Sequence, residues 1–179
     1  MSSHILILSG SPRKNGNTER LVTSFADGAT AIGKTAKIIR VAGLKISGCR
    51  GCEYCFAHNG VCVQNDDMPP ILDELQRVDA LVLASPVYFF GVTAQLKLVI
   101  DRFFALLQKG MAVKRAALLM TCGNTSDAAA AASIAMFRQI SAYQKWKEAG
   151  IIVAPGLHNP GEIEGRPELE QAKRLGESI

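Results

Sequence analysis

Two stretches of this chain gather residue types that do chemistry when held close together. The first is Ser9-Gly10-Ser11-Pro12-Arg13-Lys14-Asn15-Gly16-Asn17-Thr18, which follows the apolar run Ile5–Leu8 and precedes Glu19-Arg20-Leu21-Val22. A loop between a buried parallel strand and a helix N-terminus collects unpaired backbone N–H groups at the positive end of the helix dipole, which makes an anion site. Ser9, Ser11 and Thr18 add hydroxyls, Asn15 and Asn17 add amides, and Arg13 offers a fork for phosphate oxygens. Gly10 and Gly16 let the backbone turn tightly and approach a ligand. The glycine spacing fits neither the dinucleotide fingerprint nor the Walker loop at this place, and a set of hydroxyls and amides suits a terminal monophosphate. The plainer alternative is an ordinary turn with Asn17 or Thr18 as N-cap; the donors outnumber what a cap requires.

The second stretch is Cys49-Arg50-Gly51-Cys52-Glu53-Tyr54-Cys55 followed by Cys62, a C-x2-C-x2-C-x6-C run holding four of the five cysteines. Tight C-x2-C turns hold thiolates near one another, and four thiolates meet the needs of a [4Fe–4S] cluster. Zinc sites usually separate their ligand pairs more widely, although His58 could stand in as a ligand. Three outcomes stay open: a cluster, unligated thiols, or zinc. Disulfides do not suit a cytoplasmic chain.

Strand-like and helical patterns alternate around these stretches. Leu21, Val22, Phe25, Ala29 and Ile32 follow helical spacing, and Ala36–Val41 reads as a second strand. Ala80–Ala84 is a third, its continuous apolar character suiting burial on both faces. Val92, Leu96, Val99, Ile100, Phe103 and Phe104 mark a helix, and Ala116–Thr121 a fourth strand. Asp127 is expected to cap a helix running to about Glu148 with Gly150 as its stop, before a fifth strand Ile151–Ala154. A last helix begins at Pro167 and runs to about Leu175. Asp66-Asp67-Met68-Pro69-Pro70 reads as a helix start with acidic caps. Five strand–helix alternations give an α/β doubly wound parallel sheet of order 2-1-3-4-5, with helices on both faces and the ligand at the carboxyl ends of strands 1 and 3.

The loop after the third strand, Ser85-Pro86-Val87-Tyr88-Phe89-Phe90-Gly91, reaches that same edge. Its aromatic residues can line a flat ring, or simply close the core. Beside a monophosphate loop the set Pro86, Val87, Tyr88, Phe89 and Gly91 reads as an isoalloxazine site, making the phosphate that of FMN. Thr121-Cys122-Gly123-Asn124 forms the far wall, where Cys122 is equally a small packing residue. Gly28-Ala29-Thr30-Ala31-Ile32-Gly33-Lys34-Thr35 matches the Walker expression letter for letter, but a helix precedes it and a strand follows, so it is rejected. His4, His58 and His158 stand isolated, leaving hydrolytic chemistry without support.

Composition sets the outer bounds. The 179 residues, 48% hydrophobic and 20% charged, suit one well-cored domain (1–179) with a cysteine-rich loop at 49–62 after strand 2. No apolar run reaches membrane-spanning length and no leader is expected, which makes the cytoplasm the expected location. A net charge of +4, with dispersed Lys and Arg, argues against nucleic acid as a ligand and accommodates anionic small molecules.

These residues resemble the NAD(P)H-dependent FMN reductase family. The likeness rests on Ser9-Gly10-Ser11-Pro12-Arg13 with Asn17-Thr18, on Ser85-Pro86-Val87-Tyr88, and on Ala94-Gln95-Leu96-Lys97…Asp101-Arg102. The cysteine run followed by Asp66-Asp67-Met68 is similar to the iron–sulfur flavoprotein branch of that family. The resemblance implies a flavodoxin-like fold and noncovalent FMN. Its phosphate would lie at Ser9, Ser11, Arg13, Asn15, Asn17 and Thr18, and its ring against Pro86, Val87, Tyr88, Phe89 and Gly91 with Cys122-Gly123 nearby. It further implies hydride transfer from NAD(P)H to the flavin without a catalytic acid–base side chain, and electrons leaving to a small-molecule or protein acceptor. If Cys49, Cys52, Cys55 and Cys62 hold a [4Fe–4S] cluster, they would carry single electrons outward on the flavin edge. Homodimers or homotetramers are expected. Gly16 departs from the serine of many reductases, which removes one phosphate hydroxyl. A flavodoxin-like electron carrier without NAD(P)H activity, and a metal-binding interaction module, are the competing readings.

Overall fold

The structure, a computed structural model, describes residues 4–179; Met1–Ser3, part of the expected single domain, lie outside the described residues. Five parallel strands, β1 (His4–Ser9), β2 (Thr35–Arg40), β3 (Ala80–Pro86), β4 (Arg115–Thr121) and β5 (Lys147–Ala154), pair in the order β2-β1-β3-β4-β5. Among the described residues, five helices lie between them and a sixth follows β5: α1 (Asn17–Ala31), α2 (Tyr54–Ala57), α3 (Pro69–Leu75), α4 (Ala94–Arg102), α5 (Ala131–Tyr143) and α6 (Pro167–Ser178).

Side chains alternate across each strand, so every central strand feeds two cores. Ile5, Ile7, Val82 and Leu119 pack under α1 and α6 with Leu21, Val22, Phe25 and Ala172. Leu6, Leu8, Leu81, Leu83 and Leu118 pack on the other face with Ile71 and Leu75 of α3, Leu96 and Val99 of α4, and Phe137 of α5. Burial on both faces is why β3 reads as an unbroken apolar run. The crossing of α1 and α6 is unusually close: a Cβ on Gly28 would fall 2.0 Å from the Lys173 carbonyl oxygen, and one on Gly176 2.0 Å from that of Phe25. Gly28 therefore serves helix packing inside α1, and Thr35 opens β2, so the Walker-like letters span a helix-to-strand turn.

Four local expectations change. The helix expected over Asp127–Glu148 is a 3-10 turn at Asp127–Ala130, capped by Ser126, followed by α5, which ends at Tyr143. Lys147 and Glu148 belong to β5, and Gly150 lies inside that strand rather than stopping a helix. The α4 pattern begins at Ala94, after Val92, and becomes a 3-10 turn at Phe103–Leu106. Asp66 Oδ1 accepts at 3.1 Å from the N–H of Met68, the N-cap of α3, whereas Asp67 makes no such bond and the N-cap's own side chain makes none.

Candidate functional site

The loops after β1, β3, β4 and β5 meet at the carboxyl edge of the sheet, where they enclose one cavity. It is lined by Ser11, Arg13, Gly16, Asn17 and Thr18 from the first loop and by Pro86, Val87 and Tyr88 from the second. Thr121, Cys122 and Gly123 form a third side, Leu157 and His158 the fourth. At the floor, Gly16 is the N-cap of α1 and makes no side-chain cap bond. A fifteen-residue helix thus points an uncapped positive end at the cavity, the arrangement that holds an anion.

The polar side chains there divide into ligand-facing and structural groups. Ser11 Oγ accepts from Arg13 N at 3.3 Å, shaping the turn. Arg13 Nη1 donates to the His158 carbonyl at 2.8 Å, bridging opposite walls while its other N–H groups remain for an anion. Thr18 shares a buried hydroxyl pair with Thr121 at 2.8 Å. Asn17 is committed elsewhere: its Nδ2 donates to Asn159 O at 2.8 Å, and its Oδ1 accepts from Gly161 N at 3.0 Å. It moors the loop after β5 while still lining the cavity, where only one of its two Nδ2 N–H groups is used in that bond. Asn15 is exposed with a φ of 56°, its N–H bonded to Glu19 Oε2 at 2.7 Å, and lies outside the cavity. Ser9 is buried at the end of β1 and likewise does not line it. Gly10 serves helix α4 rather than a ligand, since a Cβ there would meet Thr93 Oγ1 at 2.6 Å and Leu96 Cβ at 2.7 Å.

On the ring side, Tyr88 lines the cavity while Phe89 and Gly91 do not. Tyr88-Phe89-Phe90-Gly91 is a tight hairpin: Tyr88 N bonds Gly91 O at 2.9 Å and Gly91 N bonds Tyr88 O at 3.1 Å. Both central residues are left-handed, φ 48° at Phe89 and 65° at Phe90, in positions usually given to Asn and Gly. Their side chains stand 100% and 63% exposed at the cavity rim. Burial pushes the Cys122 thiol up. Gly123 lies against the exposed His158 ring, which would come within 2.8 Å of a Cβ there. Residues 158–162 are tied by Glu162, whose carboxylate accepts from the N–H groups of His158 at 2.6 Å and Asn159 at 2.9 Å. Those bonds, with Asn159 contributing most, hold the Glu162 carboxyl below the usual range.

The four clustered cysteines line a second, separate pocket with Arg50, Glu53, Gln64, Arg102, Phe104 and Ala105. All are free thiols, and Cys55 is pushed up first by burial and further by the other three cysteines around it. His58 is not part of the pocket: it stacks on Tyr54 at 3.5 Å and its Nδ1 bonds the Tyr54 carbonyl. Among the described residues no three or more His, Cys, Asp or Glu side chains are arranged to hold a metal ion. The pocket is also away from the flavin-side edge expected for it. The loop runs along α4, with Gly48 near Leu98, and ends against the C-terminal end of that helix.

Residues 3–153 match the NADPH-dependent FMN reductase family. The chain belongs to that family. An iron–sulfur flavoprotein of Archaeoglobus fulgidus is 41% identical over 93 residues, covering 52% of this chain and 42% of that protein. Another, from Methanocaldococcus jannaschii, is 39% identical over 98 residues, covering 55% and 50%. The chain thus spans about half the length of these curated relatives. A putative NAD(P)H-dependent FMN-containing oxidoreductase of Bacillus subtilis is 26% identical and matches 96% of this chain and 95% of its own. The fold is that of the NAD(P)H:quinone oxidoreductase from Methanothermobacter marburgensis, with a TM-score of 0.70, 19% identity and coverage of 99% and 98%.

For FMN, the uncapped α1 terminus and Arg13 suit a phosphate, and Pro86, Val87 and Tyr88 with Gly123 offer a flat apolar wall. For a cluster, the residue types fit, four thiols lining one pocket beside the buried Arg102 Nε, which lacks a hydrogen-bond partner, while among the described residues their arrangement is not that of a metal site. The pocket, about 20 Å³, is room for one water. Cys49 and Cys52 are exposed, Cys62 partly buried and Cys55 buried. Sequence reasoning missed Gly16 as the bare cap, and Leu157 and His158 as lining residues. For His158 the available signal was its place just past the end of β5, on the ligand edge.

Proposed function

We propose that this chain is an FMN-dependent oxidoreductase that takes hydride from NAD(P)H and passes electrons to an external small-molecule or protein acceptor. The observation that carries this reading is the uncapped N-terminus of α1 opening into a cavity at the switch point between β1 and β3, beside Arg13. FMN, when bound, supplies the hydride-accepting ring. The protein's part is to hold and shield it. Ser11, Arg13, Thr18 and the first-turn N–H groups grip the phosphate, while Pro86, Val87, Tyr88, Cys122 and Gly123 line the ring. The Glu162-braced loop brings Leu157 and His158 over the remaining side.

The iron–sulfur names of the relatives and the four-thiol pocket support a finer reading, in which Cys49, Cys52, Cys55 and Cys62 hold a [4Fe–4S] cluster. A cluster there would supply one-electron capacity. Exposed Phe89 and Phe90 at the cavity rim support assembly into a homodimer or homotetramer. Among the described residues no helix is long and apolar enough to cross a membrane, and five free thiols suit the reducing cytoplasm, where we place the protein. The test is an absorbance spectrum of anaerobically purified protein followed by stopped-flow mixing with NADH or NADPH. A bound flavin that bleaches in a saturable manner is expected. A flavin reduced by dithionite but inert to both nucleotides would leave an electron carrier instead.

A further inference from the structure

Arg102, the last residue of α4, is 2% exposed and heads the fully buried side chains in size. Its Nη1 donates to Asp66 Oδ2 at 2.7 Å and to Ser47 O at 2.9 Å, and its Nη2 to Asp66 Oδ1 at 3.2 Å. The remaining donor, Nε, is buried without a hydrogen-bond partner. An apolar residue of similar volume would fill this space at no loss of stability, since a buried ion pair carries a desolvation penalty near its own gain. A stranded N–H adds to that penalty. The same side chain lines the pocket of Cys49, Cys52, Cys55 and Cys62. Cys62 and the Arg102 side chain line that small pocket together.

We propose that Arg102 is a positioning residue for the cysteine pocket, its Nε donating to a sulfur of the bound cluster at Cys62 and raising the cluster's reduction potential. This rests on the cluster reading above. The charges around the pocket support it. Asp66 neutralises Arg102 from behind, so the pair as a whole is uncharged and presents an oriented N–H to the sulfur side. Arg50 and Glu53, which also line the pocket, are exposed and screened by solvent. A thiolate-ligated cluster takes one electron and no proton on reduction, so its sulfurs gain negative charge. A fixed donor to sulfur is then stronger in the reduced state, which favours reduction. Lysine would supply the charge without the Nε fork.

The test is a dithionite titration of anaerobically reconstituted protein, each cluster taking one electron from dithionite and monitored by EPR. The variants are Arg102→Lys and the double variant Arg102→Gln/Asp66→Asn, which removes both charges together and leaves no stranded carboxylate. With iron and sulfide content unchanged, the reduction equilibrium should move toward the oxidised form by on the order of tenfold, which is about 59 mV for one electron. A structural role alone would not move it; an unchanged potential at full iron content overturns the proposal. A second measurement needs no change at Arg102: electron spin-echo modulation of the reduced protein labelled with 15N-arginine, in an Arg50→Lys background. It should show coupling to a guanidinium nitrogen, and its absence overturns the proposal even if the other variants fail to fold. If unaltered protein holds no iron or sulfide after reconstitution, the cluster reading itself falls and this inference with it, a result distinct from an unshifted potential.

Discussion

The hydroxyl oxygens of Thr18 and Thr121 lie 2.8 Å apart in a buried pair that ties the first turn of α1 to the end of β4. Replacing one partner strands the other. Thr121→Val should cost about 1–3 kcal/mol in urea unfolding, the penalty of a buried unpaired hydroxyl. The double variant Thr18→Val/Thr121→Val should recover most of that loss. A single variant as stable as the parent would show that the pair is mechanically idle.

Arg13→Ala should weaken FMN binding by roughly 10- to 100-fold, since a hydrogen bond to a charged group is worth about 1.5–3 kcal/mol. Riboflavin, which lacks the phosphate, should lose little. The comparison matters because Arg13 also donates to the His158 carbonyl. Equal losses for both flavins in fluorescence titrations would assign Arg13 to wall-bridging alone.

Glu162 makes the loop over the cavity sensitive to acid. Its folded pKa lies below the unfolded one because Asn159 and His158 N–H groups bond the carboxylate. The stabilisation is therefore complete above the ordinary glutamate value of about 4.3 and is lost as pH falls through the lower folded value. Amide exchange of His158 and Asn159 should accelerate in that window, and Glu162→Gln should already exchange fast at pH 6. Identical acid profiles for the two proteins would remove Glu162 from this role.

Two adjacent left-handed phenylalanines are costly, each by about 1–3 kcal/mol. Phe89→Asn/Phe90→Gly gives the hairpin the residues its geometry favours and should raise the thermal midpoint of the isolated subunit. If these rings join subunits, the same variant should sediment as a smaller species than the parent. A variant that keeps the parental assembly state would separate the rings from oligomer contacts.

The sheet was legible because β1, β3 and β4 are apolar runs whose type and order follow from burial on both faces. The end of α5 was not. Residues 144–148 carry helix-favouring side chains, but Lys147 and Glu148 pair with Arg115 and Ala116 in the sheet, and Lys145 turns left-handed to allow it. Gly150 was read as a helix stop, whereas it makes room for Leu175, whose Cδ1 would lie 2.8 Å from a Cβ there. In the cavity, Ser11, Arg13 and Thr18 were recognisable from type and position, while the mooring role of Asn17 depends on partners more than 140 residues away. Asp66 was legible as a residue at the start of α3, where it accepts from Met68 N, but its ion pair with Arg102 was not, because that partner is distant in sequence.

Helix α4 is held at both ends by contacts described above. Thr93, its N-cap, donates to the Gly10 carbonyl at 2.8 Å within the phosphate loop, and Arg102 at the other end is fixed by Asp66 and Ser47 beside the cysteines. Nine helical residues make a strut about 13 Å long. A strut clamped at both ends transmits rotation and has little freedom to absorb it. A core substitution at its middle, such as Val99→Ala, would therefore register as a disturbance at both pockets together, whereas substitutions in either loop alone would stay local.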